Sequence, residues 1–181
     1  MSELHKPEWY GECAIISDKY NDYVQIKYKC NGTGTLYDYS LFPGINLIFM
    51  DFNCSDIFHE PIPNKNIIEI RHYQKGRVEF ELRNNKVFHM KEGELCINAL
   101  ANVPAAYSFP FGYSVGLSCV IDKDSIDAKT KQIFSYYNID VLNLGQELEI
   151  EKKWFLCRTP QRLLHIFDEL YAAKGVEGKD Y

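Results

Sequence analysis

Residues 45–121 run through strand-length segments and turn signals with no stretch of helical spacing between them. That pattern decides the class of fold, because successive short strands with no intervening helix must pair antiparallel in a sandwich or small barrel. Residues 45–52 form a strongly apolar run. Residues 61–66 carry a turn signal, and residues 67–73 read as a strand that Lys75 and Gly76 end. Residues 77–82 alternate, with Val78, Phe80 and Leu82 on one face and Arg77, Glu79 and Glu81 on the other. Asn84-Asn85 suits a hairpin turn. Residues 86–90 return, Glu92-Gly93 turns again, and residues 94–100 leave. A loop through Pro104 leads into two further segments, 105–110 and 113–121.

The flanks read differently. Residues up to about 40 look irregular apart from one alternating strand at 23–28, followed by a loop signal at 31–35. Trp9, Tyr10, Tyr20, Tyr23, Tyr28, Tyr37 and Tyr39 crowd this region, which suits either an arm folded over a pocket or a surface loop with aromatic anchors. After Ile121 the spacing turns helical. Asp124 or Ser125 offers a cap, and Ile126, Thr130, Ile133, Phe134 and Tyr137 follow on one face. Residues 152–157 suit a strand. Thr159-Pro160 then marks a helix start, and Gly175 a stop. Leu163, Ile166, Phe167 and Leu170 form its apolar stripe, which fits packing on the chain's own sheet or a dimer contact. The chain divides into an arm with a first strand at 1–40, a β core at 41–121 and a helical region at 122–181. Its tail ends without a cap, as though cut from something longer.

Charge and cysteine content narrow the function. A formal net charge of -5 gives the chain no electrostatic reason to hold a phosphate backbone. The six cysteines are scattered without C-x-x-C spacing, and the polar N-terminus does not resemble a signal peptide. A cytoplasmic location with reduced thiols is the expectation, with no membrane partner. No nucleophile elbow, phosphate loop or dinucleotide fingerprint occurs.

Residues 69–95, with Gly76-Arg77-Val78-Glu79, Asn84-Asn85 and Glu92-Gly93-Glu94, resemble the cupin-like sensing domain of AraC-type bacterial transcription regulators. The post-barrel segments at 121–140 and 158–173 sit where that family places its helices. The resemblance implies a mainly β, cupin-like barrel (jelly roll) followed by about two helices. It implies a domain that binds a small-molecule effector, sugars among the known classes, and forms a homodimer. DNA would be bound only through a helix-turn-helix domain absent from this chain, and no cofactor is implied. The stripe Leu163, Ile166, Phe167 and Leu170 would be the dimer interface.

Metal-dependent cupin enzymes, isomerases or dioxygenases, are the alternative. Their first motif would use Glu69 with Gly76 seven residues on, but no His stands near Ile62 and Asn64, where two are needed. The window at Val103, Pro104 and Ala105 lacks the second-motif His as well. One carboxylate does not hold a catalytic metal, so no metal is expected. His5, His59, His72, His89 and His165 would have to assemble a site in space. A free-standing small-molecule-binding module is a third reading.

For an effector site the candidates are Glu69, Arg71, His72, Tyr73, Arg77, Glu79, Tyr107 and Phe109. Two rules disagree on the strand at 67–73. Hydrophobic alternation turns Ile68, Ile70 and His72 inward, whereas alignment on Glu69 turns Glu69, Arg71 and Tyr73 inward. Arg77 and Glu79 fit a solvent face or, by the resemblance, a polar ligand site. Tyr107, Phe109 and Phe111 fit a cavity mouth or plain core.

Overall fold

The alternating segments do become strands, and more of them than the spacing suggests. The structure is a computed structural model and describes residues 10, 13–20, 22–58, 64–82, 86–101 and 104–177. The expected turn at Asn84-Asn85, along with Trp9, His5 and His59, lies outside the described residues. Three strands precede residue 45: β1 (Ala14–Lys19), β2 (Tyr23–Tyr28) and β3 (Gly32–Phe42), paired antiparallel in that order. Over the described part of residues 1–40 this corrects the expected irregular course, and it corrects the loop expected at 31–35. The glycines that look like turn residues do another job. A Cβ at Gly34 would lie 2.8 Å from the Phe52 ring, so the missing side chain makes room for an aromatic on the neighbouring strand.

The other strands are β4 (Ile45–Cys54), β5 (Asp56–Phe58), β6 (Asn64–Leu82), β7 (Val87–Lys91), β8 (Glu94–Leu100), β9 (Pro104–Ser108), β10 (Ser114–Asp122) and β11 (Phe155–Arg158). One sheet runs β1-β2-β3-β4-β10-β6-β8-β11. A smaller group joins β5 to β9, β9 to β6 and β6 to β7. All the pairings are antiparallel. The expected mainly β architecture, an antiparallel sheet curled around an interior and followed by two helices, is what the chain adopts.

β6 belongs to both groups. Its first half pairs with β10 and β8, and its second half pairs with β7 and β9. The expectation that Gly76 ends the strand is therefore wrong. Gly76 has φ of 86°, a left-handed turn that bends the strand from one sheet into the other without interrupting it.

The centre of the main sheet is buried on both faces, which is why β4 reads as an unbroken apolar run rather than an alternating one. Ile48, Met50 and Phe52 face the interior between the sheets. Leu47 and Phe49 face outward and are covered by the second helix, α2 (Gln161–Glu177), through Phe167, Leu163, Leu170 and Tyr171. Burying each such side chain contributes roughly 1.5–3 kcal/mol. A third cluster, with Ile68, Ile121, Ile126, Val141 and Ile150, seats the segment that includes α1 (Ala128–Tyr136) on the same outer face. Among the described residues no helix is long and apolar enough to cross a membrane.

The caps of both helices differ from expectation. The cap of α1 is Asp127, whose carboxylate accepts from the Thr130 backbone N–H at 2.7 Å. Asp124 and Ser125 are engaged one turn earlier: the Asp124 backbone N–H and the Ser125 hydroxyl both donate to the Asp122 carboxylate. Asp127→Ala should lower the urea midpoint modestly while Asp127→Asn keeps most of it, since either side chain supplies the capping oxygen. Equal losses from both would rule out capping as the reason. In α2, the Thr159 backbone N–H donates to the Gly93 carbonyl at 2.9 Å, but its buried hydroxyl has no partner among the described residues. The helix continues past the expected stop at Gly175 to Glu177.

Candidate functional site

The interior between the sheets holds a cavity walled mostly by apolar and aromatic side chains, among them Leu36, Ile48, Met50, Phe52, Val120 and Phe109. The centre of a water-sized molecule can move through about 70 Å³ of it. Into this apolar wall β6 sends Glu69, Arg71 and Tyr73, every second residue of a strand. The two rules for this strand are thus decided in favour of the Glu69 alignment. Hydrophobic alternation failed because the outward side is buried as well: Ile68 and Ile70 pack under the helical region.

Glu69 and Arg71 are 6% and 5% exposed, so their charges must be met within the fold. Arg71 Nε donates to Glu69 Oε1 at 3.0 Å, and Arg71 Nη2 donates to Oε2 at 2.6 Å, a two-pronged pair. The Ser118 hydroxyl on β10 donates to Oε1 at 2.6 Å. Burial works most strongly against the charge on Arg71, but Glu69, Tyr107 and Tyr73 together outweigh it and hold the guanidinium protonated. The guanidinium also lies 5.0 Å from the centre of the Phe80 ring and 5.6 Å from that of Tyr107. Arg71 Nη1 is buried and has no hydrogen-bond partner among the described residues. Burial raises the pKa values of Tyr28, Tyr73 and Tyr107, so these phenols stay neutral at physiological pH.

A second polar group adjoins the cavity. Asp38 on β3 is wholly buried; it accepts from the hydroxyl of Tyr10 and from Asn46 Nδ2 at 2.7 Å. The Tyr28 hydroxyl donates to the Tyr10 carbonyl at 3.0 Å. Asp38, Asn46 and Ser118 were not among the residues the sequence singled out, whereas Tyr10 was, as one of the aromatics that suit an arm folded over a pocket. The signal for Asp38 and Ser118 is phase. Asp38 lies two residues from inward Leu36, and Ser118 lies two residues from inward Val120.

The remaining candidates divide as follows. Tyr107 and Phe109 line the cavity with Glu69, Arg71 and Tyr73. Phe111 is exposed. Arg77 and Glu79 do not reach the cavity: they pair with each other at 2.8 Å on the solvent side of β6, because Val78 and Phe80 take the inward phase. His72 is also misplaced by expectation. It points outward, stacks on Phe167 with ring centres 4.1 Å apart, and puts Nδ1 3.1 Å from the Tyr171 hydroxyl. Of the stripe expected at a dimer interface, Phe167, Leu163 and Leu170 pack on the chain's own sheet, and Ile166 is 44% exposed. His89 and His165 are exposed. Among the described residues no group of three or more His, Cys, Asp or Glu side chains is placed to hold a metal ion.

His72 gives the helix contact a pH dependence. Burial holds its pKa below the usual value of about 6.5, with Asp168 partly opposing. The unfolded chain therefore takes up this proton first, and stability falls as pH drops below about 6.5. His72→Phe keeps a flat ring on Phe167 and should weaken the pH dependence of the urea midpoint between about pH 7 and 5. An unchanged slope would place the effect elsewhere.

No family model matches the chain, and no curated protein does. Several solved structures match part of it. The Clostridium difficile EutQ protein is 15% identical over 51% of this chain and 66% of its own, with a TM-score of 0.38. A Cupin_2 domain of an XRE family transcriptional regulator from Enterobacter cloacae is 15% identical over 48% of this chain and 94% of its own, with a TM-score of 0.37. A mutant of Bacillus subtilis oxalate decarboxylase is 12% identical over 86% of this chain and 45% of its own, with a TM-score of 0.41. The chain thus covers less than two thirds of the EutQ and decarboxylase chains. Similarity at this level concerns the course of part of the backbone.

Proposed function

We propose that this chain is a small-molecule-sensing domain of the kind that AraC-type transcription regulators carry, working in the cytoplasm as a homodimer. The observation that supports it best is the cavity itself: a mostly apolar hollow lined by buried Arg71, which is paired with Glu69 and whose Nη1 has no hydrogen-bond partner among the described residues. A few convergent polar groups in an apolar hollow are what an orienting site for a small molecule needs. The resemblance at Gly76-Arg77-Val78-Glu79 supports the regulator reading, with DNA held by a separate domain. No reaction is proposed, since the charged pair is mutually engaged and the buried phenols stay neutral.

The fold offers a route for a signal. Arg71 faces the cavity and the next residue, His72, packs on α2. A ligand that shifts β6 by binding Arg71 would change how α2 seats, and it would do so by preferring one of two arrangements. Exposed Ile166, with Tyr136 at the end of α1 and Tyr137 just after it, is available for a partner copy.

The test is thermal unfolding of the purified chain against a panel of sugars, aromatic compounds and short aliphatic molecules. A ligand at one hundred times its Kd should stabilise the fold by about 2.7 kcal/mol. The same compound should alter transcription in a reporter driven by the chain joined to a DNA-binding domain. If no compound moves the midpoint, the sensing reading falls. If one binds but transcription is unaffected, only the regulator part falls.

A further inference from the structure

We propose that the occupant of this cavity is a neutral, mainly apolar molecule carrying a carbonyl-type oxygen, such as a ketone, ester or amide, and is neither a sugar nor a carboxylate. The inference rests on reading the cavity as a ligand site, and it comes from counting charges and hydrogen-bond partners around the wall.

The charge count disfavours an anion. Arg71 is the natural attraction for a carboxylate, but Glu69 already neutralises it through two hydrogen bonds. The other carboxylate next to the cavity, Asp38, is buried beside Tyr10 and Asn46. A carboxylate ligand would therefore be a further negative charge in an apolar space, with no cation left among the described lining residues to meet it.

The hydrogen-bond count disfavours a polyol. The Ser118 hydroxyl is spent on Glu69, the Tyr10 hydroxyl on Asp38, and the Tyr28 hydroxyl on a backbone carbonyl. Glu69 accepts three hydrogen bonds already, which leaves little of a carboxylate's capacity of about four. Beyond the phenols of Tyr73 and Tyr107, a sugar's several hydroxyl donors would meet few groups on the described wall able to accept them, and each unmet donor is costly. What remains is a donor: Arg71 lines the cavity, and its buried Nη1 has no hydrogen-bond partner among the described residues. One acceptor oxygen satisfies it. The rest of the molecule meets aliphatic side chains and rings such as Phe52 and Phe109, whose centres are stacked 4.9 Å apart.

The experiment compares ring-sized probes on the full chain by calorimetry and NMR: cyclohexanone, methylcyclohexane, cyclohexanecarboxylate at neutral pH and glucose. Cyclohexanone should bind and move the Arg71 side-chain resonances. It should bind at least about tenfold more tightly than methylcyclohexane, as loss of a hydrogen bond to a charged donor predicts. Cyclohexanecarboxylate and glucose should be weaker still. Arg71→Lys, which keeps the charge but removes the second donor arm, should abolish the preference for cyclohexanone over methylcyclohexane. If that variant does not fold, the comparison on the parent chain decides alone. Tighter binding of glucose or of the carboxylate would overturn the proposal while leaving the cavity a ligand site. Failure of all four probes to bind or to move Arg71 at millimolar concentration would overturn both.

Discussion

Arg71→Met is expected to destabilise the fold by about 3–5 kcal/mol, the usual cost of removing one partner of a buried ion pair. Glu69 is 6% exposed and would keep only the Ser118 hydroxyl as a partner. The variant would thus bury a carboxylate without its counter-charge. The double variant Glu69→Met with Arg71→Met removes both charges and should recover most of the loss, since apolar replacement of a whole buried pair is often neutral or favourable. Urea unfolding measures all of this. A single variant within about 1 kcal/mol of the parent would show that the pair is solvated in solution. A double variant as unstable as the single would show that the residual packing, not the charge, sets the cost.

That pair was visible in the sequence only as a question, and the reason lies in the helices. Alternation separates inside from outside when one side meets water. On β6 the outward residues Ile68 and Ile70 are covered by the helical region, and His72 is covered by Phe167. Both faces therefore look buried, and apolar pattern points to the wrong one. Where one face does meet water, the reading worked: Val78 and Phe80 are inside, while Arg77 and Glu79 are partly exposed. The ligand role that the resemblance suggested for Arg77 and Glu79 finds no support in that geometry. The core strands, the late β11 and the helix after Thr159-Pro160 were legible because each is a local pattern. Asp38 and Ser118 were not, since their importance comes from strands far apart in sequence meeting across the interior.

The three early strands show a different limit. Glycine and threonine at residues 31–35 carry the composition of a loop, yet β3 pairs along its length with β2 and β4. Their function is steric. Gly34 stands opposite Phe52 in the register, and its bare Cα lets that ring lie over the strand toward the cavity. Phe52 then stacks with Phe109 in the cavity wall. A glycine that makes room for a partner and a glycine that makes a turn are identical in sequence, and the distinction appears only once the neighbouring strand is known.

The same distinction, made quantitative, predicts that Gly76→Ala costs clearly more than Gly93→Ala. Both glycines have left-handed backbone, with φ of 86° and 75°, so each substitution pays about 1–2 kcal/mol for that conformation. The surroundings differ. A Cβ at Gly93 meets nothing within 4 Å, whereas one at Gly76 would lie 2.4 Å from the Tyr113 carbonyl oxygen and 3.0 Å from the Ser114 Cα. Those are backbone atoms beside a paired strand and cannot swing away as a side chain would. Gly76→Ala should therefore exceed its partner by at least about 1–3 kcal/mol, the range for forcing extra volume into packed structure. The corner also sets the site. Arg71 lies before the bend and Phe80 after it, and the guanidinium sits 5.0 Å from the Phe80 ring centre. A corner opened by a methyl group moves these two apart, so Gly76→Ala should weaken probe binding even in conditions where the variant remains folded, and Gly93→Ala should leave binding unchanged. Equal unfolding costs for the two variants would mean that the Tyr113 contact yields freely. Unequal costs with unaltered binding would mean that the bend holds the sheets together without positioning Arg71 over its ring.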